Sequence, residues 1–297
     1  MGRCLLGLLL VLGACEARLA DPGTTADGPA GPNIDAPGTT VDAPSAMLGP
    51  WGTPSKIPGA DTAADEDDGT LSSTGLELVF AVVNAADANR KDLYTATRAT
   101  TSVPFGTPTL LPFSVVGSSE ETPRFGPNDK ALFFASDRAG GAGNLDIYKV
   151  TRATIGGTWG TPALVPGPNT ALLEKWFMPC GMNGDYIVVQ GGDLAAGVLN
   201  GPAPTVIAEL SSPQAETGTF LTSDCLTIYF ASARSGTTQL YTSHRTSTTG
   251  SWQTPTAVID FASTGGAQED PWVAADGHTF VFASNASGSK DVYISVR

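Results

Sequence analysis

A strand signature that returns along the chain limits the possible folds more than any other feature. An apolar residue followed by Tyr occurs as Leu93–Tyr94, Ile147–Tyr148, Leu240–Tyr241 and Val292–Tyr293. The Tyr spacings are 54, 93 and 52 residues. The middle interval is about twice a repeat of roughly 45 residues, the length of a propeller blade. A degenerate copy is therefore expected between Tyr148 and Tyr241, and the apolar run Tyr186–Val189 after the turn Asn183–Gly184–Asp185 supplies it. With it, the strands preceding the signature are Leu78–Val83, Ala131–Ala135, Tyr186–Val189, Ile228–Ala231 and Phe280–Ala283, which makes five copies.

The copy from Glu121 to Val165 reads as four strands. Pro123–Phe125 opens it, and Pro127–Asn128–Asp129 forms a turn. Ala131–Ala135 is apolar on both faces, as a strand inside a packed sheet should be. Asp146–Thr151 follows a Gly-rich connection. Trp159–Val165 is the fourth strand, and Pro162 places it at an edge because proline donates nothing to a ladder.

Four stretches share that fourth pattern: Trp51–Pro54, Phe105–Pro108, Trp159–Pro162 and Trp252–Pro255. The C-terminal copy, Glu269–Arg297, stops at its third strand, so the orphan around Trp51 is expected to complete it. The blades are then 66–111, 120–166, 174–210, 216–259, and 268–297 with 48–58. No amphipathic helical pattern interrupts residues 48–297, a length suited to one all-β domain. The expected fold is all-β: a single β-propeller of five four-stranded blades, closed by the N-terminal strand. Such closure leaves no open blade edge in the ring.

The pattern P-x-F-x-x-[ND]-x-x-x-[LI]-[FY]-F-A-S, then a Gly-rich turn and D-[ILV]-Y, resembles the TolB-type, WD-like β-propeller repeat. The resemblance covers most of residues 66–297 and is strongest in blades two, four and five. Blade three lacks both the D-x-Y strand and the aromatic-x-T-P strand, so its outer half has no assignment. The family implies a fold and an envelope location, not one chemistry.

Residues 1–14 combine Arg3, the apolar run Leu5–Leu12 and small residues before Cys15, which describes a secretory signal. The tetrad Leu12–Gly13–Ala14–Cys15 resembles a bacterial lipobox, which makes Cys15 the expected lipidation site. Glu16 after the Cys favours the outer membrane; whether the protein faces the periplasm or the exterior stays open. Residues 15–47 are rich in Pro, Gly, Thr, Ala and Asp and lack the apolar surface needed to offset chain entropy. They are expected to form an acidic tether reaching about 30 Å. Signal, tether and propeller together resemble a Gram-negative surface lipoprotein. Cys180 and Cys225 would share an oxidising compartment, and a disulfide between them or a pair of buried thiols are equally open.

Chemistry-bearing motifs are sparse. The two histidines, His244 and His278, form no metal or nucleophile motif, and no P-loop, H-E-x-x-H or G-x-S-x-G pattern occurs. Sixteen basic against 29 acidic residues, a net charge of −13, argue against a nucleic-acid partner. One constellation recurs: acids ahead of each first strand, namely Glu66, Asp67 and Asp68; Glu120 and Glu121; Glu174; Glu216; Glu269 and Asp270. If first strands line the central channel, these carboxylates ring one mouth and could hold a cation, an amine or a basic peptide. The alternative is that they are turn formers repeated with the blade.

Two functions follow. The first is a monomeric, membrane-tethered, non-enzymatic binding or scaffold module without a resident cofactor. Its ligand would be an envelope or surface protein, a peptide or a glycan, or a cation in the channel, bound by Glu66, Asp67, Glu121, Glu174, Glu216 and Glu269. The second is a five-bladed glycoside hydrolase or lyase, with Asp67 or Asp68, Glu121 and Glu174 converging on a sugar bond. Trp176 and Trp272 would be its sugar platforms.

Overall fold

The computed structural model describes residues 48–181 and 183–297. The expected signal, Cys15 and the 15–47 tether lie outside the described residues. The described chain begins with β1 (Ser55–Lys56). Blade one contains β2 (Glu66–Leu71), β3 (Glu77–Asn84), β4 (Asp87–Thr97) and β5 (Thr109–Leu110). Blade two contains β6 (Glu120–Phe125), β7 (Ala131–Ser136), β8 (Asp146–Thr151) and β9 (Ala163–Leu164). Blade three contains β10 (Glu174–Cys180), β11 (Asp185–Gln190), β12 (Asp193–Val198) and β13 (Thr205–Val206). Blade four contains β14 (Glu216–Leu221), β15 (Thr227–Ser232), β16 (Gln239–His244) and β17 (Thr256–Ala257). Blade five contains β18 (Gln268–Val273), β19 (Thr279–Ser284) and β20 (Asp291–Val296), with β1 pairing against β20.

The fold is therefore the expected five-bladed propeller, every blade an antiparallel four-stranded sheet. Ring closure pairs Ser55 with Ile294 and Lys56 with Tyr293. The inner strands β2, β6, β10, β14 and β18 touch their neighbours around the axis. Five apolar clusters fill the five junctions between blades. The second strands carry much of this core: Leu78, Val79, Phe80 and Ala81 are all inaccessible, because a middle strand is covered on both faces. Among the described residues no helix is long and apolar enough to cross a membrane.

Two expectations need correction. The fourth strand of blade two is only Ala163–Leu164, not Trp159–Val165, and Pro162 stands before it. The aromatic of the aromatic-x-T-P pattern is instead a packing post. Arg98 covers the Phe105 ring at 4.4 Å, Arg152 covers Trp159 at 4.2 Å, Arg245 covers Trp252 at 4.4 Å and Arg297 covers Trp51 at 3.9 Å. Each of these arginines also donates Nε to a carbonyl in the turn between first and second strands: Gly75, Asp129, Cys225 and Gly277. Cation–π contact and hydrogen bond together pin the third strand's end to that turn. Blade three has no such arginine, yet it completes its sheet through β12 and β13. Its β12 is built from Leu194, Ala195 and neighbours, and Leu194 and Ala195 are fully buried without the Tyr that marks the other blades.

Cys180, the last residue of β10, is joined to Cys225 in the turn before β15, with Cα atoms 5.6 Å apart. The bond ties blade three to blade four across 45 residues.

Removing residues 48–58 should lower the thermal midpoint and broaden the transition, since β20 then loses its only outer partner. An unchanged melting curve would place β1 outside the cooperative unit. Replacing both Cys180 and Cys225 by Ser should cost up to about 4 kcal/mol by loop-closure entropy. In unfolded, unreduced protein both should resist a thiol reagent, and labelling of either would exclude the bond.

Candidate functional site

The inner strand of each blade begins with a residue buried in the junction with the preceding blade. These are Glu66, Glu120, Glu174, Glu216 and Gln268, and all but Gln268 are completely inaccessible. The acids are thus part of the strands, not of the loops before them: Glu66 pairs with Val82, Glu120 with Ser136, Glu174 with Gln190 and Glu216 with Ser232. Their carboxylates are consumed locally. Glu174 accepts from the Thr170 amide and hydroxyl and from Gln190 Nε2. Glu216 accepts from the Ser212 amide and hydroxyl, from Ser232, and from Arg234 at 2.9 Å. Glu120 accepts from Val115, Ser136 and Arg138. Glu66 takes both Thr62 donors on one oxygen. Burial pushes its carboxyl up to about 7. Glu66, Glu174 and Glu216 therefore do not converge on the channel mouth with Asp67 and Glu121.

The second residue of each inner strand makes the mouth: Asp67, Glu121, Lys175, Thr217 and Glu269. Lys91 of β4 and Lys290, in the connection just before β20, join them. Lys91 Nζ lies 2.7 Å from Asp67, 3.7 Å from Asp68 and 4.0 Å from Glu121. Lys290 bridges Glu269 at 2.5 Å and Asp67 at 3.2 Å, and Lys175 meets Glu121 at 2.6 Å. The expected negative ring is thus an alternation of three carboxylates and three ammoniums. Burial alone would raise the Glu121 carboxyl, but the Lys175 and Lys91 charges outweigh it and hold the group below its ordinary range. Asp67 is likewise held low: burial opposes this, while its bond to Asp270 and the charges of Lys91 and Lys290 prevail. Lys91 and Lys290 are in turn held protonated above the usual lysine range, their burial outweighed by these acids.

The third residue of each inner strand is in left-handed conformation: Asp68 (φ 57°), Thr122 (53°), Trp176 (49°), Gly218 (52°) and Asp270 (55°). Each lies where the pairing register shifts, so every inner strand carries a bulge. The bulges turn these residues toward the neighbouring blades. Thr122 is β-branched and Trp176 bulky, types that seldom adopt positive φ, and the ring must hold them there. At Gly218 a side chain is excluded, because a Cβ would stand 2.5 Å from the Asp270 amide.

The bulges bring Asp68 under the mouth, where it accepts the Trp176 indole N–H at 2.7 Å and the Thr122 amide. Asp67, Asp68 and Asp270 bring one oxygen each within 4.8 Å of one another. Asp270 Oδ1 is buried without a donor, which is consistent with a proton shared between Asp270 and Asp67. Burial, then the Asp67 and Asp68 charges, raises the Asp270 carboxyl well above its ordinary range. Beneath them Arg124, almost wholly buried, donates to the carbonyls of Pro123, Asp68 and Thr219. A lone buried guanidinium would be costly, and the Asp68 and Asp67 carboxylates near it supply the compensating charge. Trp272 is buried in the junction of blades five and one, so it offers no sugar platform.

A groove of about 520 Å³ lies beside the mouth on blade one, between the β3–β4 hairpin and residues 114–117. Arg90, Asp92, Tyr94, Leu110 and Val116 are among its lining. Strand alternation sets the relation: Lys91 turns to the channel and its neighbour Arg90 to the groove. Sequence reasoning missed Lys91, Lys290, Arg124 and this groove. Only the Arg of the third-strand end, always seven residues before the aromatic at Phe105, Trp159 and Trp252, had a readable signal.

No protein-family model and no curated protein matches the sequence. Solved structures do resemble the fold. An endo-arabinase from Bacteroides thetaiotaomicron superposes with a TM-score of 0.57 at 10% identity, covering 82% of this chain and 96% of that one. A structure described as TolB from Agrobacterium tumefaciens gives a TM-score of 0.50 at 14% identity, covering 80% and 91%. At such identities the likeness concerns the fold alone.

Replacing Lys91 by Met leaves Asp67 and Glu121 short of a counter-charge. It should cost about 2–3 kcal/mol at neutral pH, allowing for the partial exposure of the lysine. Because both carboxyls are held low, their contribution exists above about pH 4 and is lost as pH falls through their folded-state values. Denaturant melts from pH 7 to 3 should therefore show the acid-side loss of stability flattened in the variant. An identical pH profile would mean that Lys91 does not set these carboxylates.

Proposed function

We propose that the chain is an exported, lipid-anchored, non-enzymatic binding module whose partner is a protein or peptide of the cell envelope. The partner docks across the channel mouth and the blade-one groove. The observation that carries this reading is the bridging of the mouth carboxylates by Lys91, Lys175 and Lys290. A glycosidase needs two carboxyls accessible to one sugar bond. Here Asp67 and Asp270 are buried, Glu121 is held by Lys175, and Glu174 is bound by Thr170 and Gln190 in the blade junction. An alternating field of acids and lysines instead suits a peptide, whose own groups carry both signs. The groove adds apolar surface through Val116, fully exposed, and Leu110, half exposed. Loops and edges on a rigid scaffold are where such contacts are usually built. Anchoring through Cys15 and the 15–47 tether would keep the propeller at the membrane where such a partner is found.

A second reading keeps one specific observation in its favour. Asp67 and Asp270 come from adjacent blades, and their environments drive their proton affinities apart, as an acid–base pair requires. Under that reading the chain is a glycoside hydrolase or lyase.

Affinity capture from native envelope extracts tests the first reading. The wild-type chain should retain a specific protein, less strongly as salt rises. Arg90→Glu combined with Val116→Ser should lose it while the melting temperature stays within a few degrees. Retention unaffected by this double change would move the partner off the groove. Release of reducing sugar from arabinan or xylan, abolished by Asp67→Asn, would replace the binding reading by the enzymatic one.

A further inference from the structure

The junction where the ring closes differs from the other four in its charges. At the other junctions that carry a glutamate, both carboxylate oxygens have donors. Glu120 is met by Val115 and Arg138, Glu174 by Thr170 and Gln190, and Glu216 by Ser212 and Arg234. The arginines stand two residues beyond Ser136 and Ser232, the register partners of Glu120 and Glu216. In blade one the register partner is Val82, and two residues beyond it stands Asn84, whose amide goes to Asp92. Glu66 therefore has no guanidinium. Its Oε1 takes both Thr62 donors, and its Oε2 is buried with no partner.

Two more carboxylates face it. Asp291 opens β20 and is buried; Asp61 lies in the connection from β1 to β2 and is half exposed. Glu66, Asp61 and Asp291 each bring an oxygen within 4.8 Å of the other two. The nearby cation is Lys56 of the closing strand, 2.9 Å from Asp291 and 3.4 Å from Asp61, with a side chain that reaches solvent. It stands where the other outer strands carry Leu110, Leu164, Val206 and Ala257. When all are ionised, three carboxylates and one ammonium sum to two negative charges. The donors are all oxygen, and the site joins the two ends of the domain.

From this geometry we infer that Asp61, Glu66 and Asp291 form a calcium site that fastens the N-terminal segment to blade five and blade one. Oxygen-only ligands with two buried carboxylates suit a hard divalent ion, and the exposed side of Asp61 leaves room for water to complete a shell of six to eight. Lys56 swings outward when the ion enters. Calcium thereby supplies the charge that arginine supplies at two of the other junctions. The site is separate from the mouth and does not depend on the function proposed there.

The full chain, stripped with a chelator, is titrated with calcium chloride at fixed ionic strength, followed by calorimetry and by thermal melting. We expect one saturable site with Kd on the order of 10⁻⁴–10⁻³ M, the range of extracellular calcium modules. The melting temperature rises with calcium accordingly. Glu66→Gln should abolish the heat and the calcium-dependent rise, while raising the melting temperature in chelator because a buried charge is gone. A purely structural role for Glu66 would leave no calcium-dependent rise to lose. Asp61→Asn, a partly exposed change that does not threaten folding, should weaken binding roughly tenfold by removing one ligand charge. Lys56→Met should tighten it. Absence of saturable binding in both wild type and Lys56→Met overturns the inference and makes Lys56 the site's permanent cation. Binding that survives Glu66→Gln overturns it too, and points to Asp67, Asp68 and Asp270 at the axis.

Discussion

Four of the five junctions between blades are fixed by one backbone hydrogen bond that carries a side chain into a dry place. The amide that opens an inner strand donates to the neighbouring blade: Glu66 to Lys290, Glu174 to Leu145, Glu216 to Gly192 and Gln268 to Thr238, at 2.8–3.1 Å. That bond fixes where each blade starts relative to the last. It also buries the first side chain of the strand, and four of the five are glutamates. A buried carboxylate without donors is costly, so each junction must supply them. Serine and threonine four residues earlier do so at Glu66, Glu174 and Glu216, and arginines from the second-strand end do so at Glu120 and Glu216. The glutamates therefore serve the ring before they could serve a ligand.

Around those joints the ring is stabilised by apolar faces. Each of the five junction clusters combines residues of adjacent sheets, so no blade has a complete core of its own. A blade deprived of its neighbour would expose Phe, Leu and Val surface, which explains why both chain ends are drawn into one sheet. The arginine–aromatic posts act at the rim of the same sheets. At the closing blade the post is assembled from the two ends of the domain, with Arg297 on Trp51. The disulfide adds a covalent tie at blades three and four, beside the blade that lacks an arginine post.

At the axis the physical problem is reversed, since charges there are concentrated rather than spread. The bulges turn Asp68 and Asp270 inward, and Arg124, Lys91 and Lys290 balance them. Low dielectric makes every such pair strong and every unpaired group costly, so the network rigidifies the mouth. A rigid face of alternating charge discriminates among partners by complementarity more than by buried area.

The repeat made the architecture legible. Five apolar second strands, the Tyr spacing and the orphan Trp51 pattern fix the number of blades and the mode of closure, because a blade is a local unit whose period is written in the chain. Blade three shows the limit: β12 has no Tyr and β13 no aromatic, yet the neighbouring blades complete their sheet by burying Leu194 and Ala195. The candidate site was legible only as a list of acids. Their separation into buried joints and a bridged mouth follows from one residue of strand alternation, and that phase is set by pairing to the next strand. The partners that neutralise them, Lys91 of β4 and Lys290 just before β20, stand 24 and 223 residues from Asp67 in sequence. The bulges have no common residue type, since Asp, Thr, Trp and Gly all occupy them. Local period is a property of the sequence alone; which charges meet across an axis is decided only when the ring closes.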